Sequence, residues 1–316
     1  MDMDMDLGSG PTVHQLRLFL ILAKERHFGR AAARSFISQP ALSRQIQVLE
    51  QRLGVAVVER DRTVRLTPAG LALLAKARAV VEAMDDLRQT AQEQGRAARG
   101  QLVVGTIGAE AAMPHLRAVL EQARQHNPAL EIRTRLLDFV HHFAALENGE
   151  VDVVFCRPPM PPHIRTRHLA DEARVACLPA ADPLAGRASV KLADLGGYPI
   201  LSLPPECPQA WRDFWAADPR PDGNPVPYGP VVGDIEALML AVSDGHGMAF
   251  LPAAARTLFP RPGVAYVDVI DLPPCTAALA WAERNNDNPN LRAIRRAAET
   301  ISLPGRRSDR GLSTSP

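Results

Sequence analysis

The run FGRAAARSFISQPALSRQIQVLEQRLG (residues 28–54) constrains this chain more than any other feature. Ser38 suits a helix N-cap, and Pro40 falls in the first turn, where its missing N–H costs little. From there Leu42, Ile46, Leu49 and Leu53 recur at i, i+4, i+7 and i+11, one apolar stripe for an interior. Gln39, Pro40, Ser43, Arg44 and Gln47 fall on another face, toward the helix start. Those are side chains suited to a major groove: arginine can bridge guanine O6 and N7, glutamine can pair with adenine, and serine can hold a phosphate. A preceding helix is expected from near Gly29 through the small residues Ala31, Ala32 and Ala33, which let two helices cross closely. Leu16, Phe19, Leu20 and Ala23 form the inward stripe of a still earlier helix. After Gly54, VAVVERDRTVRLT reads as a β-hairpin with Arg60, Arg62 and Arg65 at and beside its turn. Such a hairpin is a wing, placed to touch phosphates or an adjacent minor groove.

Charge agrees with that reading. The formal net charge is only +1, but residues 13–66 hold ten basic and four acidic side chains, a net +6 that leaves −5 for the remainder. A basic head on an acidic body confines a nucleic-acid footprint to one end. Cys156, Cys177, Cys207 and Cys275 are scattered, with no CxxC pair and no metal-spaced Cys/His cluster, which fits a reducing compartment. His141 and His142 are adjacent, so on a helix they diverge by about 100° and cannot share a metal face. No cofactor or metal is expected. The acidic start lacks an apolar signal core, and no stretch approaches the ~20 apolar residues of a membrane span. A soluble, cytoplasmic chain is expected, with no membrane partner.

Residues 1–12 and 304–316 read as mobile tails, polar and rich in Gly, Pro or Ser. Between them lie a DNA-binding segment (13–66), a long helix (67–94), a Gly- and Arg-bearing joint (95–100) and an α/β domain (101–303) in which strands such as LVVGT and VDVVFC alternate with helices such as Pro114–His126. Thr67 caps the long helix and Pro68 takes its first position. Leu73, Ala77, Val80, Met84, Leu87 and Ala91 alternate by four and three, an a/d seam for pairing two copies. The alternative is an amphipathic helix lying on its own domain.

The sequence resembles the LysR-type transcriptional regulators over nearly its whole length, most specifically in FGRAAARSFISQPALSRQIQVLEQRLG and the following RLTPAG. The resemblance implies that Gln39, Pro40, Ser43 and Arg44 are recognition-helix contacts and that the long helix is a dimerisation element. Gly29 stands where the family usually has a capping Ser or Thr, and the hairpin after Glu59 is about one residue short. The implied fold is an N-terminal all-α winged helix-turn-helix joined to a two-lobed effector domain like a type 2 periplasmic binding protein. Lobe I would hold 101–168 and 268–303, and lobe II 169–267. GHGMAFLP (residues 245–252) resembles the family's Gly-x-Gly turn and strand in the second lobe.

In such a fold the cleft is lined at the carboxyl ends of strands and at helix N-termini. The expected effector-binding residues are therefore Thr106, Ile107 and Ala109 after the first strand, Phe139 after the second, Arg157 after the third, and Ser202 and Asp234 from the other lobe. Arg157 is either a bidentate clamp for a ligand carboxylate or an ordinary salt bridge at the lobe edge. Relatives that bind carboxylates use Ser or Thr near Ala109 and Phe139, so an apolar or aromatic effector is expected here. The expected function is a regulator that binds promoter DNA as a dimer or tetramer, responds to a small molecule and contacts RNA polymerase. No nucleophile elbow, phosphate loop or HExxH is present, so no enzyme is expected. The competing readings are a binding protein that does not touch DNA and an enzyme on the same two-lobed fold.

Overall fold

A computed structural model describes residues 10–60 and 64–301, and the chain divides into two compact units, Met1–Ala91 and Gln92–Pro316. In the first unit, helix α1 (Val13–Glu25) opens with a capping box. Thr12 Oγ1 accepts from the Gln15 N–H at 3.2 Å, and Gln15 Oε1 accepts from the Thr12 N–H at 3.0 Å. Thr12 therefore belongs to the head rather than to a tail; residues 1–9 and 304–316 lie outside the described residues. Helix α2 (Phe28–Arg34) is capped by His27, whose Nδ1 accepts from the Arg30 N–H at 3.2 Å. Gly29 is thus the second residue of α2 and carries no capping duty, which corrects the start expected there.

Helix α3 (Gln39–Leu53) begins at Ser38, whose hydroxyl accepts from the Ala41 N–H at 3.4 Å. Leu42, Ile46 and Leu49 are fully buried, each worth about 1.5–3 kcal/mol against exposure. They pack with Leu16, Phe19, Ala31 and Ala32. In α1 the inward stripe differs from expectation: Leu18 and Leu22 are buried, whereas Leu20 and Ala23 are only half-buried. Strands β1 (Val58–Arg60) and β2 (Val64–Leu66) pair antiparallel as the wing, with Glu59 opposite Arg65. Arg62 and the Arg60 side chain lie outside the described residues.

Helix α4 (Pro68–Ala98) is capped by Thr67, whose hydroxyl accepts from the Gly70 N–H at 2.9 Å and donates to the Ala56 carbonyl at 2.7 Å. Gly70 must lack a side chain, because a Cβ there would sit 2.1 Å from the Val57 carbonyl oxygen. This contact is the physical content of RLTPAG. The helix runs four residues beyond the expected end at Gln94, through Gly95. Its last turn is held in the second unit, where Arg96 reaches the buried Asp152 carboxylate at 2.8 Å and the Gly149 carbonyl at 2.8 Å. The expected seam also divides. Ala77 is buried and Leu73 half-buried in the head's own core, whereas Val80 and Leu87 remain 48% and 63% exposed.

The second unit continues with β3 (Gln101–Ile107), α5 (Pro114–His126), β4 (Glu131–Leu137), α6 (His141–Glu147), β5 (Val153–Cys156) and β6 (Ile164–Glu172). Then come β7 (Arg174–Pro179), β8 (Ser189–Val190), β9 (Ile200–Ser202), α7 (Gln209–Ala216), β10 (Tyr228–Val231), α8 (Ile235–Ser243), β11 (Ala249–Pro252), α9 (Ala255–Leu258) and β12 (Val264–Val269). Strand β13 (Cys275–Ala282) and helix α10 (Pro289–Ile301) close it. One sheet has the order β4-β3-β5-β13-β6, with β3 parallel to β4 and β5, and β13 antiparallel to its neighbours. A second has the order β11-β7-β12-β8, and β9 and β10 form a short parallel pair. Two larger sheets in one unit, with the chain leaving the first and returning to it, make two lobes.

The crossings fall later than expected. Ala170, Asp171 and Glu172 still pair with β13, so the chain leaves the first sheet at Ala173 and not after His168. Asp268 and Val269 still pair with β8, so the return occupies residues 270–274 and does not begin at Asp268. In the GHG turn, a Cβ on Gly247 would approach the Pro199 carbonyl oxygen to 2.7 Å, which explains the glycine before β11.

Candidate DNA-binding face and ligand cavity

The amino-terminal half of α3 presents its polar face to solvent. Gln39, Pro40, Arg44 and Gln47 are exposed and Ser43 is half-buried, opposite the stripe that Leu42, Ile46 and Leu49 bury. Among the described residues Arg44 has no ion-pair partner, so its guanidinium is free to fork onto a base edge. By contrast, Arg30 and Arg34 on α2 are taken up by Glu25, at 3.7 and 2.8 Å. Arg65 is exposed on the wing. The face therefore holds an unpaired cation between two glutamines, the donor and acceptor set of direct readout.

In the second unit, a cavity of about 310 Å³ opens at the carboxyl ends of β3, β5 and β9 and along α7. Ile107, Phe139, Arg157 and Ser202 line it as expected. Thr106 does not line it and is buried, its hydroxyl having no hydrogen-bond partner among the described residues. Asp234 is also absent from its wall, because the carboxylate caps α8 by accepting from the Ala237 N–H at 2.8 Å. The Ala109 side chain lies outside the described residues. Ser202 spends its hydroxyl on the Gly229 carbonyl at 2.9 Å.

Arg157 is 5% exposed and already engaged. Its Nε donates to Glu110 at 2.6 Å, one terminal nitrogen to Glu172 at 2.7 Å, and the other to Cys275 Sγ at 3.2 Å. Of the two readings of this residue, the geometry matches the salt bridge. Burial opposes the charged guanidinium, but the two carboxylates outweigh it and raise its pKa. Burial likewise opposes the Glu110 carboxylate, yet His115 and Arg157 hold its pKa below the usual value. Glu110 and Glu172 carry no local motif and went unread in the sequence.

The remaining wall is aromatic and apolar. Trp211 stands 5.9 Å from Phe139 and 6.3 Å from Trp215, with Leu238, Leu251 and Phe259 completing the enclosure. A signal for this wall was present: WRDFW (residues 211–215) holds two of the chain's three tryptophans. Behind it, His142 is fully buried, its Nδ1 bonding the Asp138 carbonyl at 3.2 Å, and burial pushes its pKa down to about 4. All four cysteines are buried, and burial raises every thiol pKa, Cys207 to about 11 and Cys177 to about 12. Such thiols are poor nucleophiles. Among the described residues no group of His, Cys, Asp and Glu is arranged to hold a metal, and no helix is long and apolar enough to cross a membrane.

A winged helix-turn-helix with an unpaired recognition face, carried on the same chain as a two-lobed unit enclosing a ligand-sized cavity, defines a ligand-responsive DNA-binding regulator. Residues 13–71 match the bacterial regulatory helix-turn-helix family of lysR type, and residues 95–300 match the LysR substrate binding domain. The chain belongs to the LysR family and is a DNA-binding transcription regulator with an effector-binding domain. It is similar to the uncharacterized regulator YnfL of Escherichia coli, 34% identical and covering 77% of this chain and 83% of that one. It is also similar to the regulator AlsR of Bacillus subtilis, 31% identical over 78% and 82%. Among solved structures, a mutant of Corynebacterium glutamicum OxyR is 28% identical over 92% and 91%, with a TM-score of 0.51. The named relatives are transcriptional regulators.

Proposed function

We propose that Gln39, Pro40, Ser43, Arg44 and Gln47 read promoter bases in the major groove while Arg65, with Arg60 and Arg62, touches the flanking backbone. The chain acts as a dimer or tetramer in the cytoplasm, paired along α4 through Val80, Met84, Leu87 and Ala91. A small effector entering the cavity beside Phe139 and Trp211 alters the angle between lobes, and thereby DNA bending and contact with RNA polymerase.

The observation that carries the DNA reading is the unpaired Arg44 guanidinium on the exposed face of α3. The test is to select binding sites from genomic DNA with the intact protein and measure affinity for the recovered operator. Arg44→Ala is expected to lose about 1–3 kcal/mol on that operator while leaving non-specific binding nearly unchanged. Equal affinity of both proteins for the operator would remove Arg44 from the reading face.

A further inference from the structure

We propose that Phe36, in the turn between α2 and α3, is a DNA contact whose ring packs on the apolar surface of an operator's major groove, a thymine methyl or a deoxyribose. This rests on the reading of α3 as the recognition helix and adds a residue outside its polar face. The side chain is 95% exposed. It joins no apolar cluster and makes no aromatic or cation–π contact among the described residues. The backbone beneath it suits glycine. The Phe36 N–H donates to the Ala33 carbonyl at 3.2 Å and the Ile37 N–H to the Ala32 carbonyl at 3.1 Å, the pair of bonds by which a helix ends on a left-handed residue. Phe36 is that residue, with φ +53°, where a bulky side chain is strained and glycine is not. Ile37, half-buried against the head's core, already seals the turn. The fold loses by carrying Phe36 and gains nothing from its ring, so what the ring packs against lies outside the chain.

Its place in the head points to DNA. Phe36 lies two residues before Ser38, the cap of α3, and so stands just off the end of the helix at which the reading residues cluster. Gln39 and Pro40, the first two residues of α3, are exposed, and Arg44 follows one turn on. Val55, the other large apolar side chain in the open among the described residues of 13–66, follows the opposite end of α3. A protein partner is met across a broad apolar patch, whereas here one ring is set in a polar segment of net charge +6, a setting that draws a polyanion. The major groove offers a thymine methyl at each A·T pair and sugar carbons along its wall, and phenylalanine is among the side chains that pack on that methyl.

The experiment measures, by fluorescence anisotropy, the affinity of the intact protein for its selected operator, with Phe36→Gly, Phe36→Tyr and Arg44→Ala beside the parent. Glycine suits the backbone of this turn better than phenylalanine, so a loss of binding reports the missing ring and not a broken turn. Phe36→Gly is expected to bind about fivefold or more weakly, the factor for covering half of a phenylalanine side chain, and Phe36→Tyr to bind like the parent. An operator carrying uracil in place of thymine separates the two surfaces. A Phe36→Gly loss that vanishes on the uracil operator places the ring on a methyl, and an equal loss on both operators places it on the sugar wall. Full affinity in Phe36→Gly while Arg44→Ala loses binding would overturn the contact and leave α3 as the recognition helix. A fall in reporter transcription with Phe36→Gly at unchanged affinity would also overturn it and assign the ring to a protein partner. Full affinity in both Phe36→Gly and Arg44→Ala would overturn the recognition-helix reading itself.

Discussion

Replacing Arg157 with methionine should unfold the second unit far more easily, and the structure sets the size of the effect. The side chain is 6% exposed and its two carboxylate partners 13% and 17%, at 2.6 and 2.7 Å. Methionine would fill most of the volume but strand Glu110 and Glu172 as buried anions. Breaking a buried pair in this way costs about 3–5 kcal/mol. Urea unfolding followed by tryptophan fluorescence reads the right region, because Trp211, Trp215 and Trp281 all lie in residues 92–316. At a slope of ~2 kcal/mol per molar urea, the midpoint should fall by about 2 M at pH 7.5. The triple change Arg157→Met, Glu110→Gln, Glu172→Gln removes the stranded charges and should recover most of the loss.

Acid should act differently on the parent and on the variant. In the parent, the folded-state pKa of Glu110 is depressed, so its contribution is present above its ordinary pKa of 4.5 and lost as pH falls through the lowered value. In Arg157→Met one of the two lowering partners of Glu110 is gone while His115 remains, so burial acts on that carboxyl with less opposition. Protonation of Glu110 should then set in at higher pH than in the parent and relieve part of the penalty, so the gap between variant and parent narrows as the solution is acidified. A variant within ~1 kcal/mol of the parent at pH 7.5, or a triple variant no better than the single, would show that Arg157 does not hold two otherwise stranded carboxylates.

Three further outcomes are expected. His142 has a folded pKa near 4 against an ordinary 6.5, so stability of the second unit should fall by roughly 3 kcal/mol as pH drops through that window; a pH series of urea midpoints checks this, and His142→Phe should flatten the slope. Phe36 is 95% exposed with φ +53°, so Phe36→Gly should stabilise the head by about 1 kcal/mol, seen by calorimetry as a higher first transition; a lower transition would show that the aromatic ring contributes packing. Leu87→Asp places a charge on an exposed stripe of α4, so helix content by circular dichroism should hold while light scattering shows smaller particles; unchanged mass would move the pairing surface off this stripe.

The parts of this molecule that were legible in the sequence are those whose physics is local. Ser38, the Leu42–Ile46–Leu49 stripe and the Arg44 face sit within one helix, so cap, core and exposed polar face are specified by spacing alone. The end of α4 was illegible for the opposite reason. Gly95 looks like a stop, but Arg96 finds its partner at Asp152, 56 residues away. His27 as the cap of α2 is an intermediate case, local in space but hidden by a residue type that caps less often than Ser or Asp. For the cavity, strand ends gave Ile107, Phe139, Arg157 and Ser202, while Arg212 and Trp215 follow from a helix whose orientation no spacing rule supplies.

Arg157 shows why a position legible in the sequence left two roles open. A sequence places the guanidinium at a strand end but says nothing of which acids converge there from residues 110 and 172. Those partners are not arbitrary: Glu172 is the last residue of β6 and Cys275 the first of β13, the two places where the chain passes between lobes. Arg174 adds a bond to the Pro273 carbonyl at 2.8 Å inside the return crossing, and Trp211 donates to the Arg157 carbonyl at 2.9 Å from the cavity wall. Any change in the angle between lobes is absorbed at these crossings, and so at the bonds that Arg157 and Arg174 make. A ligand shifts that angle only to the extent that it contacts the two arrangements differently. Trp211 both lines the cavity and bonds the Arg157 backbone, so a ring packed against it bears on the crossing through a single side chain.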